Sequence, residues 1–330
     1  MSSARVNCPI CTGDSLRLSR KDGRWIRLCL ACRHAFWEQM PTQVELAGFY
    51  AASYSEAHGQ LQRQQDNRRY YQVHARTLAR ARGRHIPGTR LLDFGSSYPI
   101  LVQEAIAAGM QAIGVDDSAQ VHQWSAANGI RCLKPSQLGE IPDQSIDILR
   151  LSHVLEHLVD PKSTLTVLLE KVKVGGLVYI SQPNFPVFLA QAADIHLKDS
   201  VWPTHLHFFS VASLVRLAGM SGLAVFGFDT HPLPSPAEQE RLMAAVDPDG
   251  ARLLACLKGV RTRSFGRSGF PWYLGENSEC WARKKPPDRP SDTEADADDS
   301  KRIFGRTGRL ATKLGNLKSR VAWLMRGRPV

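Results

Sequence analysis

The chain has 330 residues, 43% of them hydrophobic, and a formal net charge of +11. That length suits one large domain with appendages or two ordinary ones, and the composition is that of a soluble globular protein. No apolar run is long enough for a helical membrane span, and the N-terminus lacks the apolar core of a secretory signal, so the expected location is the cytoplasm.

Seven cysteines are an odd number, against a complete disulfide framework. Cys8, Cys11, Cys29 and Cys32 form two C-x-x-C pairs separated by seventeen residues. Between them, Leu16–Leu18 and Trp25–Leu28 flank Asp22-Gly23, a hairpin signal. Two knuckles joined by a hairpin set four thiolates for a closed, structural zinc site with no vacancy for a catalytic water. The expected zinc ribbon covers residues 1–40. Cys132, Cys256 and Cys280 stand at apolar positions and read as small core residues.

Residues 41–88 read as largely helical until Pro87-Gly88. Short apolar runs then alternate with helical patterns. Strands are expected at Leu91–Phe94, Ala112–Val115, Ile146–Leu151, Leu177–Ile180, Leu223–Phe228 and around Ser278–Arg283. Helices are expected at Ile100–Ala108, Ala119–Ala127, Pro161–Val172 and Val211–Ala218. This alternation predicts an α/β fold with a doubly wound, mostly parallel sheet over residues 41–285. Residues 286–300 are acidic and Pro-rich, a linker composition. Residues 301–330 hold many Lys and Arg and no Asp or Glu. Leu310, Leu314, Leu317, Val321 and Leu324 make a helical apolar stripe among those cations. Such a tail suits an anionic membrane surface, making the protein peripheral at the inner face, or a helix docked on its own domain.

The first strand runs from Asp93 into Gly95-Ser96-Ser97-Tyr98-Pro99, and a helix follows. Ligands of doubly wound folds bind where strands end at their carboxyl edge, and small residues there admit a ligand to the backbone. The second strand ends on Asp116, an acid placed to accept both hydroxyls of a ribose. The G-x-G-x-x-G pattern of a NAD site is absent.

LLDFGSSYPIL resembles the first motif of class I S-adenosylmethionine (SAM)-dependent methyltransferases, D-x-G-x-G-x-G. SIDILRLSHVLEHLVDPKSTLTVLLEKVKVGGLVYISQPN resembles their fourth strand, following helix and fifth strand. The resemblance implies a Rossmann-like methyltransferase domain with SAM as methyl donor. It implies that Asp93 and Gly95 lie by the methionine end of SAM and that Ser96 and Ser97 also bind the cofactor. Asp116 would hold the ribose with Asp117 beside it, and Ser152 and His153 would line the pocket. Ser97 and Pro99 stand where the family has its second and third motif glycines. Serine is small, and proline suits a helix's first turn although it lacks an N–H. The leader C-P-I-C…C-L-A-C-R-H-A-F-W resembles the zinc-ribbon leader of bacterial surface-polysaccharide and sugar-pathway methyltransferases. That likeness implies a carbohydrate, sugar nucleotide or related small metabolite as acceptor of the methyl group on O or C.

A hydroxyl or carbon acceptor must also lose a proton. His205, in THLHFFS, is the first candidate for base or acceptor contact and His157 the second. His153-x-x-Glu156-His157 with distant His205 resembles the E-x-x-E-H plus His pattern of metal-dependent O-methyltransferases, which implies a second divalent metal. His replaces the first Glu of that pattern. Two alternatives remain open: a metal-assisted nucleic-acid 2′-O-methyltransferase, favoured by the net charge, and a catalytically inert scaffold of the same fold, favoured by Pro99.

Overall fold

A computed structural model describes residues 6–21, 23–42, 44–46, 48, 57–83, 86–185, 204–231, 261–262 and 277–287. Two sheets organise them. The smaller contains β1 (Ser15–Lys21), β2 (Arg24–Cys29) and β3 (Ala35–Trp37). β1 and β2 form the antiparallel hairpin expected from Asp22-Gly23, with Lys21 opposite Arg24.

Helices α1 (Ala57–Asp66) and α2 (Arg68–Arg82) precede the larger sheet. α2 ends at Gly83, four residues ahead of Pro87, so the break falls earlier than the Pro-Gly pair suggests. The larger sheet comprises β4 (Arg90–Phe94), β5 (Gln111–Val115), β6 (Cys132–Leu133), β7 (Ile146–Ser152) and β8 (Val172–Pro183). β9 (His207–Phe208) joins the small sheet, whereas β10 (Leu223–His231), β11 (Arg261–Thr262) and β12 (Asn277–Lys284) return to the large one. The order across the large sheet is β11-β10-β12-β8-β7-β4-β5-β6. Neighbours from β8 to β6 run parallel, while β12 lies antiparallel between β8 and β10. This is the doubly wound, mostly parallel α/β architecture expected of the sequence.

The intervening helices are α3 (Ile100–Ala107), α4 (Ala119–Ala127), α5 (Pro161–Lys171) and α6 (Val211–Met220). Their starts are written in short polar side chains. Ser118 accepts from Val121 N–H, Asp160 from Ser163 N–H with Pro161 behind it, and Ser210 from Ser213 N–H. Because the parallel strands are covered on both faces, they read as continuous apolar runs. One face packs Leu91, Ile148, Leu177 and Trp281 against α2 and α3. The other packs Leu92, Leu149, Leu151 and Ile180 against α5 and α6, and its core continues without interruption into Cys8, Ile10, Cys29, Cys32 and Phe36.

Among the described residues no helix is long and apolar enough to cross a membrane. The basic tail, Cys256 and all but the first two residues of the acidic linker lie outside the described residues.

Candidate active site

The four cysteines converge. Cys8 and Cys32 sulfurs are 3.6 Å apart, and Cys11 and Cys29 sulfurs 3.5 Å. A tetrahedron of Zn–S bonds requires an S···S edge of about 3.8 Å, nearly twice a disulfide bond. The two knuckles share one construction. Thr12 N–H donates to Cys8 O and Arg33 N–H to Cys29 O, and both Thr12 and Arg33 adopt left-handed φ, 59° and 58°. Ile10 N–H points at Cys8 Sγ and Cys32 N–H at Cys29 Sγ, each at 3.4 Å. Cys32 holds the Cys8 thiol down to about 5 through a hydrogen bond, and the same contact pushes Cys32 upward. The donor set and spacing fit zinc.

The loops at the carboxyl edges of β4, β5 and β7 make a second focus. Gly95 has φ +71°, and a Cβ there would stand 2.4 Å from Val154 Cγ2, so the loop after β4 presses on the loop after β7. Gly95 and Ser96 N–H groups donate to Val115 O. Ser97 keeps the left-handed conformation that a glycine would favour, φ 49°. Its N–H donates to Asp116 Oδ2 at 2.8 Å, and Ser118 N–H donates to Oδ1 at 3.0 Å. Burial raises the Asp116 carboxyl against these hydrogen bonds. Asp117 is exposed. Pro99 caps α3, where its missing N–H costs nothing, and its carbonyl accepts from Gln103 N–H. The backbone therefore keeps a glycine-like path at Ser97, and Pro99 fits as the cap of α3.

Asp93 is fully buried and accepts from Arg150 Nη1 at 2.7 Å across the β4–β7 pairing. Burial raises the Asp93 carboxyl, and Arg150 opposes that shift. Arg150, one residue inside a run of apolar side chains, carries no sequence pattern that marks it as a partner of Asp93.

Beyond β7 the chain turns at His153, whose φ is 56° and whose N–H donates to Ser181 O, opposite Ser152. Glu156 follows in a 3-10 turn, 2% exposed, and among the described residues neither of its carboxylate oxygens has a hydrogen-bond partner. His153 Nδ1 stands 3.4 Å from it and His157 Nε2 3.9 Å, ion-pair distances without hydrogen-bond alignment. Burial works against the Glu156 carboxylate, but the surrounding histidines hold it below the usual value. His157 Nδ1 lies 2.7 Å from Thr204 O, so this nitrogen carries a proton and donates, and Nε2 is the ring nitrogen turned toward Glu156. The His205 ring sits 4.9 Å from that of His157, and burial, then His157, lowers its pKa to about 4. Ligand atoms of Glu156, His157 and His205 all lie within 4.8 Å of one another. A buried carboxylate whose two oxygens have no hydrogen-bond partner among the described residues, beside the His157 and His205 rings, fits a divalent cation.

The segment carrying His205 is held from the other side by the cysteine module. β3 pairs with β9, Ala35 opposite Phe208 and Phe36 opposite His207. His34 and His207 are both buried, their rings stacked 5.1 Å apart with His34 Nε2 2.9 Å from His207 Nδ1. Burial lowers His207 to about 4 and His34 well below its usual value, so the pair is neutral.

Residues 62–226, half of the chain, match the family model of the methyltransferase domain, and the chain belongs to that family. It is a SAM-dependent methyltransferase. It is 24% identical over 193 residues to the ubiquinone biosynthesis O-methyltransferase of Burkholderia thailandensis, covering 53% of this chain and 81% of that one. The corresponding protein of Neisseria meningitidis serogroup C is 28% identical over 156 residues, 42% of this chain and 65% of that one. Among solved structures, a SAM-dependent methyltransferase from Mesorhizobium loti aligns with a TM-score of 0.42 at 17% identity, covering 62% of this chain and 95% of that one.

Proposed function

We propose that this methyltransferase methylates a hydroxyl oxygen of a carbohydrate, sugar nucleotide or related small metabolite, with a divalent cation at Glu156, His157 and His205. In this reading residues 1–40 are a zinc module, with Cys8, Cys11, Cys29 and Cys32 as ligands, and residues 41–285 are the catalytic domain. The observation that carries it is Glu156, a buried carboxylate whose oxygens have no hydrogen-bond partner among the described residues and which lies with His157 and His205 inside 4.8 Å. Relatives named as O-methyltransferases support oxygen as the acceptor atom.

SAM would supply an electrophilic methyl on a sulfonium, and a cation held by the trio would lower the pKa of a hydroxyl bound to it. The residues of the chain do the rest. Asp116 accepts from the ribose hydroxyls, and Gly95 to Ser97 bring backbone against the methionine end. Asp93, paired with Arg150, lies behind the loop at the methionine end of the donor. Glu156, His157 and His205 would hold the cation, so that an acceptor hydroxyl bound there could meet the methyl, and the hydroxyl proton would pass to solvent as the S–CH3 bond breaks and the O–CH3 bond forms. The test is titration with Mn²⁺, which prefers oxygen and imidazole donors over the thiolate site. Wild-type protein should bind one equivalent and Glu156→Gln should lose it while still binding SAM. Binding that survives Glu156→Gln would overturn the assignment of the trio. Transfer to an RNA oligonucleotide, and to no sugar or small diol, would replace the acceptor class.

A further inference from the structure

We infer that Trp37, in the cysteine module, is a positioning residue for His205, so that the module completes the acceptor side of the active site. The inference rests on the reading of Glu156, His157 and His205 as a cation site. Trp37 is fully buried, and its indole N–H donates to the His205 carbonyl at 2.9 Å. Its backbone N–H donates to the next carbonyl, Leu206 O, at 3.3 Å. Leu206 N–H in turn donates to Glu156 O at 2.7 Å, and Thr204 O accepts from His157 Nδ1. Thus the stretch Thr204–Leu206 is tied on one side to Glu156 and His157 and on the other to Trp37.

The two ties do different work. Those to Glu156 and His157 hold the strand against the β7 turn. Those from Trp37 fix its rotation about its own axis, and that rotation decides whether the His205 ring faces His157. His205 precedes the two-residue strand β9, which is too short to hold its own direction, and residues 186–203 before it lie outside the described residues. Among the described residues, the fixed end is the edge of β3. The edge is itself anchored by Cys29, whose N–H donates to His34 O at 2.8 Å, and by the β2–β3 pairing. The cofactor loops Gly95–Pro99 and Asp116–Ser118 share none of these bonds.

The inference separates two binding events. Trp37→Phe keeps an aromatic ring in the core and removes the indole N–H. It should leave SAM affinity at the wild-type value and weaken Mn²⁺ by roughly tenfold, the scale of one hydrogen bond to a partly buried carbonyl. Pulsed electron paramagnetic resonance of bound Mn²⁺ should report two coordinated imidazole nitrogens in the wild type and one in Trp37→Phe. Cys29→Ser, at the residue that joins β2 to the turn leading into β3 and does not touch Trp37, should repeat the loss of the second nitrogen. Two nitrogens and unchanged Mn²⁺ affinity in both variants, with SAM still bound, would overturn the role of Trp37 and leave the cation site standing. No Mn²⁺ binding to the wild type would remove the cation reading itself, and the inference with it.

Discussion

The Asp116 carboxylate accepts hydrogen bonds from the backbone of Ser97 and of Ser118, one on each oxygen. The acid that ends β5 therefore also shapes the loop that ends β4. Asp116→Ala removes both functions, and SAM affinity should fall by about 1–3 kcal/mol, the value of a charged acceptor to buried hydroxyls. Asp116→Asn keeps one carbonyl acceptor and should fall less. Calorimetric titration with SAM distinguishes them, and an affinity unchanged in Asp116→Ala would mean that the ribose is held elsewhere.

Gly95 and Ser97 should respond in opposite senses although both have positive φ. Gly95→Ala adds strain at φ +71° and a clash with Val154, and should cost about 2–4 kcal/mol of stability. Ser97→Gly relieves a left-handed serine while adding freedom to the unfolded chain, so its effect should lie within about 1 kcal/mol of zero. Urea unfolding of the two variants measures both.

Arg150 and Asp93 form a buried pair in which each is the other's compensation. Arg150→Met leaves a carboxylate without its cation and should destabilise the fold by about 3–5 kcal/mol. Adding Asp93→Leu should recover much of that loss in stability, and SAM binding should not return with it. Recovery of binding in the double variant would show that Asp93 has no part in holding the donor.

The cysteine module carries its own pH dependence. Glu38 is held down to about 2 by hydrogen bonds from Arg17 first and Arg27 second. A carboxyl whose pKa falls on folding stabilises the folded state above its unfolded value. That contribution is lost as pH drops from about 4.5 toward 2. Thermal melts of the wild type should therefore fall more steeply across that window than those of Glu38→Gln, while the two run parallel above pH 6 or so.

How much of this was readable depends on which physical signal each residue leaves in the chain. Asp93 and Asp116 close short apolar runs and so mark strand ends, and the paired C-x-x-C spacing marks convergent thiolates. The helix starts expected at Ala119, Pro161 and Val211 hold, and each directly follows a capping side chain, Ser118, Asp160 or Ser210. Arg150 left no trace, since a cation inside an apolar strand reads as a surface position until its partner is seen. β9 was illegible too: two residues cannot show a period, and its partner β3 is 170 residues or so upstream. His205 stood out as a histidine, but its dependence on Trp37 is tertiary and has no local pattern.

The placement of β12 bears on how the molecule comes into being. Leu223–His231 leaves the ribosome well before Asn277–Lys284, yet β12 is the strand that separates β10 from β8. During synthesis β10 has no β12 edge to join until the chain has been made through Lys284, and β8 carries an open edge for the same interval. The nascent sheet is thus exposed to mispairing, most simply β10 docking directly on β8. A translation pause or truncation between those two strands would trap an apolar edge, making residues 277–284 the commitment point of biosynthesis.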